Sequence, residues 1–317
     1  MLQTHRKGSE PGPERRRRCP QGHKGDLGTI MPSNLTLIIK GISHLRYKRL
    51  NRDLTGFIKE ADLDPISLGD VRLYASATND DPSRYSEGSI IPPLFVSRLI
   101  HPFLMDIILD PRLKMNILKM VHGELEIKWF APVYVNDRLR LKMEVKEIID
   151  TKAGELIRLS FMILKDNSEV AEAIAGLLIR NPQEREKNRA EDEEKREIIC
   201  TREIKTDPDQ ALRYAVASRD NNLIHTSTLF AKIAGLKRSI LHGVCGFAIT
   251  CNELIKEFCN NDITRIVSMK GRFAYPIYPG DTLTLNCYRT EGDKVIDFEV
   301  TNREGKKNIR LGRFEFR

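Results

Sequence analysis

The residues best suited to chemistry are Asp220, Asn222 and His225, in the run Asp220-x-Asn222-x-x-His225, followed a short way on by Ser239-Ile-Leu-His242-Gly243. A carboxylate and an imidazole that reach one water can take a proton from it and pass a proton on, work worth about 10² to 10⁴ in rate. Spacing restricts how they can meet. Side chains five positions apart on a regular helix differ by about 140°, and on a strand they face opposite ways. The pair therefore converges only from an irregular loop. Asn221-Asn222 favours one, because Asn tolerates turn conformations and bonds to nearby backbone. Gly243 opens a run of helical period, where unpaired N–H groups and the helix dipole suit a developing negative charge. Losing such a donor typically costs about 10² to 10³ in rate.

These residues need elements to hold them. Val96, Leu99, Ile100, Phe103, Leu104, Ile107 and Ile108 follow a 3.6-residue period, as do Val244, Phe247, Ala248, Cys251, Leu254, Ile255 and Phe258. Each set predicts one central helix. Strand-like alternation runs through Leu139, Leu141, Met143 and Val145, then Leu159, Phe161 and Ile163; later through Leu283, Leu285 and Cys287, then Phe298 and Val300, then Ile309 and Leu311. Turn signals at Lys152-Ala-Gly154, Asp166-Asn167, Glu291-Gly292-Asp293 and Glu304-Gly305 separate these runs at hairpin spacing. A long helix followed by an antiparallel meander predicts an α+β class with the sheet wrapped on the helix.

The same order occurs twice. Tyr74-Ala-Ser-Ala-Thr-Asn-Asp80-Asp-Pro82-Ser-Arg-Tyr85 matches Tyr214-Ala-Val-Ala-Ser-Arg-Asp220-Asn-Asn222-Leu-Ile-His225 at a constant offset of 140 residues. Phe130-Ala131-Pro132, with Tyr134 and Asp137, resembles Phe273-Ala274-Tyr-Pro276, with Tyr278 and Asp281. The predicted organisation is a disordered basic tail over 1–33, a first domain over 34–180, a charged linker over 181–198 and a second domain over 199–317. Within the linker, 12 of the 15 residues from Gln183 to Glu197 are charged, with both signs mixed.

Composition narrows the function classes. With 317 residues, 40% hydrophobic and 30% charged, the chain can bury a substantial core. Its net charge is +8, of which residues 1–30 supply seven Lys/Arg against three Asp/Glu. The body is too mildly basic to argue for nucleic acid, and the Arg15–Arg18 run reads as part of a solvated tail. Six cysteines without a C-x-x-C pair or a zinc-like spacing argue against a disulfide framework and a metal site, and fit a reducing cytoplasm. The most apolar stretches are interrupted by Arg98, His101, Asp106 and His242, so no membrane span is expected. Cys245, Cys251 and Cys259 read as core, Trp129 and Phe130 as packing between the halves, and His242 as a helix-start or packing residue.

Tyr214-Ala-x-x-Ser218-x-Asp220-x-Asn222-x-Ile224-His225, then Ala231-x-x-Ala234-Gly235-Leu236 and Ile240-Leu241-His242-Gly243, resembles the hydratase motif of the MaoC-like (R)-specific enoyl-CoA hydratases. The duplicated layout resembles that family's double-hotdog members over nearly all of residues 34–317. The resemblance implies two tandem hotdog folds packed side by side like a dimer. It also implies syn interconversion of trans-2-enoyl and (3R)-hydroxyacyl thioesters, with CoA or an acyl-carrier protein as the carrier. It assigns catalysis to Asp220 and His225, orientation of the site to Asn222, and binding of the thioester carbonyl to the Gly243 N–H. No metal or organic cofactor is implied. A duplicated chain already makes the pairing that single-hotdog relatives obtain by dimerising, so a monomer or homodimer is expected.

The chain departs from the family pattern at Arg219 (usually Gly), Leu223 (usually Pro) and Ser239 (usually Pro). In the first half Asp80 is retained, but Pro82 and Tyr85 replace the asparagine and histidine. That half is expected to be non-catalytic and to supply walls for the acyl chain. Two other functions stay open: a hotdog thioesterase, and a catalytically weak acyl-CoA-binding protein.

Overall fold

The structure, a computed structural model, describes residues 44–180, 196–290 and 292–317. The expected tail over 1–33 and most of the expected linker lie outside the described residues. The first half holds β1 (Ile58–Asp62), α1 (Leu68–Ala77), α2 (Val96–Ile108), β2 (Met120–Trp129), β3 (Arg140–Thr151), β4 (Gly154–Lys165) and β5 (Ser168–Arg180). The second holds β6 (Ile198–Lys205), α3 (Gln210–Ser218), α4 (Leu223–Thr226), α5 (Thr228–Ile233), α6 (Gly243–Cys259), β7 (Ile266–Phe273), β8 (Thr282–Arg289), β9 (Val295–Asn302) and β10 (Lys307–Phe316). Strand β6 begins one residue inside the stretch read as linker.

All ten strands form one antiparallel sheet in the order β1-β3-β4-β5-β2-β7-β10-β9-β8-β6. Read from the centre outwards, each half repeats the other's strand order, so the duplication in sequence is an internal two-fold in space. The seam is β2 on β7, with Glu124 opposite Arg272 and Glu126 opposite Lys270. Opposite charges face each other across the join, and the Arg272 Nε to Glu124 Oε2 distance is 3.2 Å.

The two central helices lie where their periodicity predicts. On α6 the buried residues include Cys245, Phe247, Ala248, Cys251, Leu254, Ile255 and Cys259, and the helix stops at Asn260, whose φ of 53° turns the chain. Phe247 packs edge-on against Phe273 at 5.9 Å between ring centroids. Phe247→Ala is expected to cost about 3–5 kcal/mol of stability, because the ring is fully enclosed and the sheet cannot collapse into its space; the shift in the urea midpoint measures it.

Two elements differ from the sequence reading. Helices α1 and α3 precede the central helices and pack on each other across the halves, with the rings of Tyr74 and Tyr214 5.7 Å apart. Gln210 Nε2 donates to Ala77 O at 2.7 Å, tying α3 to the end of α1. Phe130 is 44% exposed rather than packed between the halves. With Trp129, Pro93 and Ile266 it lines a groove of about 280 Å³, because the chain leaves β2 just before it and turns outward.

Candidate active site

Helix α3 ends at Ser218, and Arg219 follows with φ 63°, a left-handed conformation. That backbone explains why glycine is usual at this position in the family the chain resembles: a side chain there costs roughly 1–2 kcal/mol. The bend turns Asp220 back under α3. Asp220 N–H donates to Ser218 Oγ, and Asn222 N–H donates to Asp220 Oδ1, both at 3.2 Å. Asn222 Oδ1 in turn accepts from Ile224 N–H at 3.3 Å and caps α4. Leu223 takes the first helical position, where proline is common but not required.

His225 therefore sits on a one-turn helix, not in an unstructured loop, and the irregular segment that the spacing demanded is compressed into residues 219–222. Asn222 caps the turn that carries His225. Asn222→Ala is expected to cost about 0.5–2 kcal/mol of stability through the lost cap and to lower turnover by loosening His225; thermal melts and initial rates check both.

Hydrogen bonding fixes the imidazole tautomers. His225 Nδ1 lies 2.9 Å from Ile240 O, an acceptor only, so Nδ1 carries the proton and Nε2 presents its lone pair. His242 Nε2 lies 2.9 Å from Asp220 O and is likewise the donor. The two rings stack at 3.7 Å with 25° between planes, and Tyr214 backs His242 at 4.9 Å. His242 is thus the cap residue of α6 and a packed wall of the site at once. Gly243 begins α6 against the ring of Phe273, where an added Cβ would meet Cδ1 at 3.0 Å. A side chain there would crowd the start of the helix, where the first N–H groups have no intrahelical partner.

Sequence reasoning missed two further histidines, both from the first half. His101 Nε2, on α2, lies 3.7 Å from Asp220 Oδ1. His122, on β2, is stacked edge-on against Phe273 at 5.1 Å and couples electrostatically to Asp220 and His101. Three of the chain's seven histidines, His101, His225 and His242, thus gather around one carboxylate, whose charge also reaches His122. The available signal was His101 itself, a polar interruption on an otherwise apolar helix; its partner lay more than a hundred residues away, beyond any local pattern.

Burial opposes the charge of Asp220, but His101, then His242 and His225, outweigh it and hold the carboxyl well below its ordinary range. The side chain keeps 29% exposure, so the carboxylate opens to solvent. Burial also lowers the histidines: His225 falls below its ordinary value, His122 to about 4 and His242 to about 3. At neutral pH Asp220 is a carboxylate, and the imidazoles of His122, His225 and His242 are neutral. Asp220, His225 and His242 have ligand atoms within 4.8 Å of one another and could hold a metal ion. A zinc-like Cys/His spacing does not include a carboxylate ligand such as Asp220, which is why this trio falls outside it.

The first half lacks this arrangement. Asp80 is bound by Tyr85 Oη at 2.5 Å and by Arg84 NH1 at 3.1 Å, and its side chain is only 6% exposed. A carboxylate so closed has no room for a water and an imidazole.

Comparison with known proteins matches both halves. Residues 189–308 match the family model described as "MaoC like domain", and residues 54–173 match "FAS1-like, dehydratase domain region". The chain is 30% identical over 201 residues to "3-hydroxyacyl-thioester dehydratase Y" of Mycobacterium tuberculosis, covering 60% of this chain and 69% of that one. The chain belongs to the MaoC-like dehydratase family. It is also 25% identical over 297 residues to "Probable enoyl-CoA hydratase 2" of Dictyostelium discoideum, covering 88% of this chain and 96% of the other. A MaoC-like dehydratase from Phytophthora capsici superposes with a TM-score of 0.71 at 26% identity, over 84% of this chain and 98% of that one. The fold is the double hotdog of this family. Among the described residues no helix is long and apolar enough to cross a membrane.

Proposed function

We propose that this MaoC-like chain is an (R)-specific hydratase/dehydratase, interconverting trans-2-enoyl and (3R)-hydroxyacyl thioesters at a single site in its second half. The observation that carries the reading is the pairing of an ionised Asp220 with a neutral His225 whose free Nε2 lone pair is set by the Ile240 contact. Asp220 aligns the water by accepting one hydrogen. His225 Nε2 takes the other as the oxygen adds to C3. The carbonyl oxygen, gaining charge, is held at the N-terminus of α6 by the Gly243 N–H. The imidazolium then returns its proton to C2 on the same face, which makes the addition syn and regenerates the neutral base. Asp220 stabilises the imidazolium while it lasts. Every proton comes from the water, and the thioester supplies the electronic activation, so the proposed cycle runs without a cofactor.

The substrate thioester is carried by CoA or an acyl-carrier protein, with the first half supplying wall residues for the acyl chain. A thioesterase would need a carboxylate aimed at the carbonyl carbon; here the carboxylate is committed to the imidazoles. Among the described residues, five free, buried cysteines support a reducing compartment, and the cytoplasm is the proposed one. We read the active species as a monomer or homodimer. The test is a crotonyl-CoA assay on the purified protein: loss of enoyl absorbance without release of free CoA supports hydration, free CoA supports a thioesterase, and no change supports a binding protein.

A further inference from the structure

Helix α2 of the first half carries two buried polar residues, Arg98 and His101, three positions apart and so on one face. Both are directed at the second half. Arg98 NH1 donates to Ala217 O, in the last turn of α3, and Arg98 NH2 lies 2.6 Å from Asp70 Oδ2 on α1. His101 reaches Asp220, three residues beyond Ala217. His101 is only 9% exposed, and its Nδ1 has no hydrogen-bond partner. Leaving a buried nitrogen unpaired is unfavourable, and packing alone would be better served by an apolar side chain.

The internal two-fold supplies the comparison. Ile91 N–H donates to Val133 O and Leu241 N–H to Ile277 O, which sets the heads of the two central helices 150 residues apart, so Cys251 takes on α6 the place that His101 takes on α2. The place that lies against the open Asp220 carboxylate holds an imidazole, and its counterpart on α6 holds a thiol.

We propose that His101 is a positioning residue for Asp220, its Nε2–H directed at Oδ1, so that the first half completes the active site rather than only walling it. This deepens the hydratase reading and rests on it. At 3.7 Å the contact is electrostatic, just beyond the range of a formed hydrogen bond. With Nε2–H turned to Oδ1, Asp220 keeps one oxygen fixed and the other for the water. The groups facing Asp220 are His101 from α2, His122 from β2, His225 from α4 and His242 before α6, with Arg219 adjoining it. Beyond them, Arg98 and Arg219 share Asp70.

The test compares wild type, His101→Leu and His101→Gln in two measurements. In crotonyl-CoA hydration, His101→Leu is expected to lose about ten-fold or more in kcat with KM changed less than about three-fold, while His101→Gln, which keeps an N–H donor, recovers most of the loss. In a carbon-13 titration of the aspartate carboxyls, with Asp220 assigned from the Asp220→Asn spectrum, the Asp220 signal moves up by about one pH unit or more in His101→Leu and less in His101→Gln. A purely structural role would lower both variants equally and leave the titration in place, and that result overturns the proposal. Wild-type rates in both variants would also overturn it. The titration is read without turnover, so an inactive wild type would remove the hydratase reading while the titration still decides the role of His101.

Discussion

Asp220→Asn is expected to lower crotonyl-CoA hydration by about 10² to 10⁴ and also to lower the melting temperature at neutral pH, because a carboxyl held well below its ordinary range stabilises the fold in its ionised form. The substitution keeps the shape of the 219–222 bend. Asn222 N–H can still donate to the amide oxygen that replaces Oδ1, so the turn that presents His225 survives. What disappears is the charge. A neutral amide neither stabilises the imidazolium nor holds the water by acceptance at both atoms. Asp80→Asn, in the matching place of the first half, is expected to change the rate by less than about three-fold, because its carboxylate is closed off by Tyr85 and Arg84. Initial rates of the two variants, measured side by side, check the assignment of halves. The reverse ranking would transfer catalysis to the first half.

His225→Gln is expected to lose a comparable factor of about 10² to 10⁴, since glutamine fills the space but supplies no base. The double variant Asp220→Asn/His225→Gln is expected to fall little below the worse single variant, because the two groups act on one water and their effects do not add. In the wild type, burial lowers His225 below its ordinary value. The active form is the neutral ring, which exists above that lowered value and is lost as pH falls through it. The profile of kcat/KM should therefore stay flat from neutrality down past pH ~6.5, with its acid limb below that point. An acid limb above the ordinary histidine value would mean that His225 is not the base.

The legible parts of this molecule were those with short-range signals. Period 3.6 located α2 and α6, alternation located β3, β4, β8, β9 and β10, and a constant offset of 140 residues exposed the duplication. The Asp220–His225 spacing implied a bend, and the bend is there at Arg219. Long-range contacts were not legible. His101 and His122 come near Asp220 only because β2 joins β7 and α2 packs on α3, and no sequence window contains both partners. The aromatic pair at the end of β2 misled for a related reason. Its composition suggested core, whereas the outward turn of the chain after Trp129 leaves Phe130 exposed.

The most direct test is to hydrate crotonyl-CoA in heavy water with the purified protein and determine the product's configuration and label. The account predicts (3R)-hydroxybutyryl-CoA carrying one deuterium at C2, added to the same face as the hydroxyl. A (3S) product, an anti label or release of free CoA would contradict it.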